Sequence, residues 1–133
     1  MLYLLLMTAG WSDLDILTYT LYAEARGEGR QGIVMVAGVI SNRAALKHLS
    51  QAQVCLEPKQ FSCWNGVTRA PVKPNDASWR LCREIAKQKH KSRYTHYFAH
   101  NQCFPKWAKR AKQAKVVGGH TFLTLNGGKP RET

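Results

Sequence analysis

Ser12-Asp13-Leu14-Asp15-Ile16-Leu17-Thr18-Tyr19-Thr20-Leu21-Tyr22-Ala23-Glu24-Ala25-Arg26-Gly27-Glu28-Gly29, followed by the apolar run Ile33 to Ile40, decides how this chain folds. Ser12 and Asp15 have the spacing of a capping box, a hydroxyl at the helix entrance and an acid three residues on. Leu14, Leu17, Thr18, Leu21 and Tyr22 then recur at helical spacing. Gly27 and Gly29 end that helix shortly after Glu24. Glu24 is therefore expected in the last turn of a rigid helix, beside a glycine-rich corner. From Gln31 to about Lys47 the next segment is apolar on most sides, the pattern of a buried helix. A central buried helix behind the one bearing Glu24 is the expected core.

Working outward, Met1 to Gly10 is apolar, lacks a basic leader and is too short to cross a bilayer. It reads as a buried first segment, with no clear signal peptide. Ser50 to Asn75 is punctuated by Pro58, Gly66, Pro71 and Pro74 and reads as irregular, with a short strand or hairpin around Gln60 to Asn65. Asp76 caps a further helix carrying Trp79, Cys82, Ile85 and Ala86 on one face. Tyr94 to Ala99 reads as strand or extended loop. Pro105 opens a basic helix with Trp107, Ala108, Ala111 and Ala114. Gly118-Gly119 turns the chain into a short strand through Leu123, and residues 126–133 form a frayed tail.

The 133 residues suit one compact domain, with 44 % hydrophobic residues to build its core. Twenty Lys and Arg against eight Asp and Glu give a formal charge of +12, and between Arg80 and Lys115 the sole acid is Glu84. Such a field attracts polyanions: nucleic acid, anionic lipid or the acidic bacterial envelope. Charge alone does not choose among them. Cys55, Cys63, Cys82 and Cys103 lack the paired spacing of a zinc ribbon; buried free thiols or two disulfides both fit.

Among eight carboxylates, Asp13 and Asp15 belong to a helix start, and Glu57, Asp76, Glu84 and Glu132 sit in exposed or capping contexts. Glu24 and Glu28 remain, flanking the glycine corner. On the residues alone, Glu24 reads first as a solvated helix-end acid pairing with Arg26 or Arg30.

Tyr22-Ala23-Glu24-Ala25-Arg26-Gly27-Glu28 with Gly32 to Arg43, then Gln60-Phe61-Ser62-Cys63-Trp64-Asn65, then Thr95-His96-Tyr97, Pro105-Lys106-Trp107-Ala108 and Gly118-Gly119-His120-Thr121-Phe122, are ordered blocks spanning about Leu14 to Leu123. Together they resemble the SleB/CwlJ-type cell wall hydrolases, which include spore-cortex-lytic enzymes and phage endolysins. Gly119 stands where the family usually has Asn, Lys91-Ser92-Arg93-Tyr94 replaces a Gly/Ala-rich lead, and Phe98 replaces an aromatic or His position. These departures bear on substrate preference. The resemblance implies an α+β, mostly α, lysozyme-like (lytic transglycosylase-like) single domain with a small strand or hairpin region. It also implies cleavage of peptidoglycan glycan strands between N-acetylmuramic acid and N-acetylglucosamine, with Glu24 as the catalytic acid.

That chemistry explains a lone carboxyl group. The leaving oxygen needs a proton as an oxocarbenium-like transition state develops. Such a donor works best against apolar or aromatic walls, for which Tyr22, Phe61, Trp64 and Tyr97 are the candidates. In a lytic transglycosylase the same group then takes the proton of the muramic acid's own hydroxyl as an anhydro ring closes, so no second acid is required. A muramidase would need one, and Glu28 is the near candidate. Gln60, Ser62, Trp64, Asn65, Thr95, His96, Tyr97 and His120 are the expected substrate-binding residues, with Tyr97 able to orient the acid. No metal or other cofactor is expected. A zinc-dependent amidase built on His96, His100, Cys103 and His120 is one rival; a basic nucleic-acid-binding protein is another, as is a non-catalytic wall-binding module. The expected partners are the peptidoglycan strands and, through region 80–115, the anionic envelope, with no specific nucleic acid, for a monomer. A phage endolysin made in the host cytoplasm and acting at the wall after release fits that pattern.

Overall fold

The computed structural model describes residues 1–100, 105–106, 108 and 112–125. Helix α1 (Leu2–Thr8) leads into α2 (Asp13–Ala25), a 3-10 turn at Arg26–Glu28, the long α3 (Gly29–Lys47), the short α4 (Gln51–Cys55), a second 3-10 turn at Ser62–Trp64, and α5 (Ala77–Ala86). Strands β1 (His96–Ala99), β2 (Lys112–Val117) and β3 (His120–Thr124) form one antiparallel sheet in the order β1-β3-β2.

The capping box before α2 is real. The Ser12 hydroxyl accepts from the Asp15 amide at 3.1 Å, and the Asp15 carboxylate accepts from the Ser12 amide at 2.8 Å. Gly29, at φ 75°, supplies the left-handed backbone that separates the corner from α3. Ile33, Val36, Ala37, Val39 and Ile40 on α3 are fully buried, as the apolar run requires. They pack with Ile16, Leu17 and Leu21 of α2 and with Cys82 and Ile85 of α5.

The C-terminal half of α3 fixes the start of the sheet. Ser41 Oγ donates to the His90 carbonyl, Asn42 Nδ2 to that of Tyr94, and the buried Arg43 Nε to that of Thr95, at 2.9, 3.0 and 2.7 Å. Arg43 also donates through Nη1 to Gln60 Oε1 at 2.9 Å. One arginine thus ties α3 to both the irregular segment and the entrance of β1.

Three expectations are corrected. Gln60 to Asn65 is neither strand nor hairpin: Trp64 N and Asn65 N donate back to Phe61 and Ser62 carbonyls, a tight turn that drops the Trp64 side chain under α2. Ala114 lies in strand β2, not in a helix. The Ala- and Lys-rich composition favours a helix, but β3 needs a partner on its outer edge, and tertiary pairing overrides propensity. The exposed Lys115 suits that position, because charge protects an edge strand. The first segment is only partly buried: Leu6 is enclosed while Leu4 is exposed. The expected frayed tail (126–133), Trp107 and Cys103 lie outside the described residues.

Asp15 is the second tie around α2. Its carboxylate, mostly buried, receives Lys73 Nζ at 2.9 Å and Arg83 Nη1 at 3.0 Å. The helix entrance is thereby joined to the loop before α5 and to α5 itself. Burial pushes this carboxyl up, but the Ser12 amide and hydroxyl and the Lys73 ammonium outweigh it and hold it down at about 2. A carboxyl depressed in the folded chain stabilises fully above its unfolded value near 4 and loses that contribution as pH falls toward 2. Urea unfolding of the wild type and of Asp15→Asn at pH 7 and pH 2.5 measures it. The stability gap between them should shrink by about 1–2 kcal/mol at the lower pH; a gap independent of pH contradicts this role.

Candidate active site

Glu24 stands in the last turn of α2, half-buried. The Tyr97 hydroxyl donates to its Oε1 at 2.6 Å. That length is typical of an O–H donor on a charged acceptor. Helix α2 supplies the acid because its last turn ends at the glycine corner. Strand β1 supplies the tyrosine because alternation turns Tyr97 toward the helices while His96 and Phe98 turn to the other face. Across the sheet Tyr97 pairs with Phe122, with ring centroids 5.5 Å apart, and the His120 ring meets it edge-on at 5.1 Å. Burial, the Glu24 charge and the bond itself push the Tyr97 hydroxyl well above the ordinary phenol range. Tyr97 is therefore a neutral donor at any working pH, never a tyrosinate base.

Beneath Glu24 lies a packed floor. Trp64 Nε1 donates to Thr20 Oγ1 at 2.9 Å, and Thr20 Oγ1 in turn donates to the Ile16 carbonyl at 2.8 Å. Trp64 stacks among Trp11 and Tyr19, at centroid distances of 6.0 and 5.0 Å. Burial first, and then the nearby Glu24 carboxylate, push the Cys55 and Cys63 thiols up to about 12. With Cys82, raised to about 11 by burial, these are free thiols in their protonated form.

The Glu28 carboxylate meets the β2–β3 turn. Its Oε2 accepts from the Gly119 amide at 2.8 Å, and its Oε1 lies 3.7 Å from His120 Nδ1. Its environment is that of an anchor on the hairpin.

The expected site residues divide accordingly. Glu24 and Tyr97 are in direct contact, and His120 stands behind Tyr97. Ser62 and Asn65 are exposed on the turn flanking half-buried Cys63. Gln60 is exposed, with its carbonyl oxygen taken by Arg43. Trp64, Thr95 and His96 are corrected. Trp64 is 5 % exposed and presents no ring face to a sugar, because its indole N–H has found its acceptor inside. Thr95 is fully buried, its hydroxyl shared between His96 Nδ1 and the Leu125 amide, and His96 lies on the far face of the strand. Of the suggested metal set, His96 meets Thr95, His100 Nδ1 meets Thr121 Oγ1 at 3.1 Å, and Cys103 is outside the described residues. Tyr22 is fixed away from the acid, its hydroxyl donating to Asp76 at 2.7 Å. Sequence reasoning missed Thr20 and Cys55 as the floor and Arg43 as the tie to β1. For Arg43 a signal existed: an arginine ending an otherwise buried run.

This chain belongs to the Cell Wall Hydrolase family, whose sequence model matches residues 27–123, a stretch that starts just past Glu24. Among solved structures it is similar to the catalytic domain of the germination-specific lytic transglycosylase SleB from Bacillus anthracis. The TM-score is 0.67 at 26 % identity, covering 86 % of this chain and 98 % of that one. The catalytic domain of the Bacillus cereus SleB protein gives 0.66 at 26 % identity, covering 84 % and 89 %. None of the curated proteins compared with the chain matches it. The mostly helical, lysozyme-like α+β fold expected from the sequence is thus the one found.

The thiol environment is directly testable. In a Cys103→Ser protein at pH 8, a disulfide reagent should modify Cys55, Cys63 and Cys82 at least about 100-fold more slowly than free cysteine, since the thiolate is the reacting form. Modification of Cys63 at the free-cysteine rate would contradict the burial assigned to it.

Proposed function

We propose that the chain cleaves peptidoglycan between N-acetylmuramic acid and N-acetylglucosamine as a lytic transglycosylase, with Glu24 as general acid and then general base. The observation that carries this reading is the Tyr97–Glu24 hydrogen bond at the end of α2. It gives a proton donor a fixed direction in a fold shared with lytic transglycosylase catalytic domains. When Glu24 is protonated, the oxygen receiving the tyrosine hydroxyl is the carbonyl oxygen, so the proton resides on Oε2. Oε2 delivers it to the glycosidic oxygen, the glycosidic bond breaks, and positive charge develops on the muramic acid ring. The carboxylate so formed then takes the proton of the muramic acid's own hydroxyl as that oxygen bonds to the anomeric carbon. The product ends in an anhydro ring, and Glu24 is again protonated.

The disposition of Glu28 favours this route over hydrolysis. A muramidase of the usual kind needs a second free carboxylate near the sugar. The Glu28 carboxylate is engaged by the hairpin instead.

Outside the site, Arg80, Lys87, Lys89, Lys91 and Arg93 are all exposed. In this reading they hold the enzyme on the anionic envelope, an attraction that weakens with salt. Production in a host cytoplasm as a phage endolysin, with release to the wall, is part of the same reading and draws on the family resemblance and the net charge of +12.

Mass spectrometry of products from purified peptidoglycan tests the reaction. Anhydro-muramic ends are expected. Free reducing ends would make the enzyme a muramidase, and released peptides an amidase. Tyr97→Phe should lower kcat by about 10- to 100-fold with KM little changed, because the acid loses its orientation but not its substrate.

A further inference from the structure

We propose that Glu28 is a positioning residue that holds Tyr97 against Glu24 through the β2–β3 hairpin; this rests on the function proposed above. The contacts form a closed circuit. Glu24 lies four residues before Glu28, at the other end of the same helix corner. The Glu28 Oε2 takes the Gly119 amide at 2.8 Å. Gly118 and Gly119 form a socket for this carboxylate. A Cβ at Gly118 would fall on Oε2, and one at Gly119 would approach Oε1 to 2.9 Å. Gly118 is also at φ +57°, where a side chain is strained.

From the socket the chain runs directly into His120. Its side chain is 10 % exposed and its Nδ1 lies 3.7 Å from Glu28 Oε1. That nitrogen is buried without a hydrogen-bond partner among the described residues. A buried polar atom left unpaired is costly, so the ring is held where it is by other forces. Those forces are its packing on Tyr97, edge-on at 5.1 Å, and on Phe122 at 6.1 Å. His120 pairs with Ala99 and Phe122 with Tyr97 across β1 and β3, so both rings sit on one face and brace the tyrosine. The Tyr97 hydroxyl closes the circuit on Glu24. Displacement of a catalytic group by about 1 Å can cost on the order of 100-fold in rate. The anchor at the hairpin tip therefore bears on the rate without touching the sugar.

Two readouts test this. With ¹³Cζ-labelled tyrosine, the Tyr97 resonance, assigned by its loss in Tyr97→Phe, reports the bond to Glu24. Glu28→Ala should move it in the direction that Glu24→Gln moves it, while Glu28→Gln, which keeps an acceptor for Gly119, should leave it near its wild-type position. A Tyr97 resonance unmoved by Glu28→Ala overturns the proposal, whether or not the protein cuts glycan; a wild type that cuts no glycan instead sinks the proposed function. On peptidoglycan, Glu28→Ala should lower kcat by about tenfold or more with KM within about twofold, and Glu28→Gln should restore most of it. In a Tyr97→Phe background the same Glu28→Ala change should cost less than about threefold, because the two residues act as one unit. Equal losses in both backgrounds, or a Glu28→Gln protein as inactive as Glu24→Gln, overturn the proposal, the latter by making Glu28 a second catalytic acid. Should Glu28→Ala fail to fold, Glu28→Asp, which withdraws the carboxylate by one methylene, carries the same readouts and the same expected directions.

Discussion

The hydrogen bond between Tyr97 and Glu24 joins residues 73 positions apart, and much of the fold exists to bring them together. Glu24 needs a rigid helix, which the Ser12–Asp15 capping box starts and the glycine corner stops. Tyr97 needs a strand whose entrance is fixed, and α3 fixes it through Ser41, Asn42 and Arg43, each bonded to a backbone carbonyl on the approach to β1. Arg43 shows how much is committed to this task. Burial pulls its affinity for the proton down, and the nearby Glu57 charge only partly opposes that. A guanidinium so placed is tolerable only because backbone and side-chain acceptors meet it directly.

The helices were legible because their signals are local. The capping box, the spacing of Leu14, Leu17 and Leu21, and the all-round apolar run from Ile33 to Ile40 each speak for an element without reference to the rest of the chain. The sheet was half legible. The Gly118-Gly119 turn and the strand at His120 have a turn signal, whereas the first four residues of β2, Lys112 to Lys115, lack the branched residues usual in a strand and are extended through pairing with β3. Local composition cannot report a partner that the chain supplies elsewhere.

The site shows the same division. Glu24 and Tyr97 were identified from ordered blocks of sequence and do meet. Trp64, Thr95 and His96 belong to the same blocks but serve the frame: Trp64 as the floor, Thr95 as a buried junction, His96 on the opposite face of β1. A motif groups residues that are constrained together. It does not say which constraint comes from the substrate and which from packing; the two-residue period of the strand separates His96 from Tyr97, while Thr95 is set apart by its complete burial and its bonds to His96 and the Leu125 amide. Glu28 sits between these categories, within the motif of the acid yet directed at the hairpin that steadies the tyrosine.

The proposed reaction depends on one carboxyl group, and its removal is the most direct measurement. Replacing Glu24 by Gln keeps the shape of the side chain and an oxygen for the Tyr97 hydroxyl but removes the transferable proton. Release of soluble fragments from purified peptidoglycan should then fall to background, while circular dichroism and the unfolding midpoint remain those of the wild type. A well-folded Glu24→Gln protein that still releases glycan fragments at a substantial rate would contradict it.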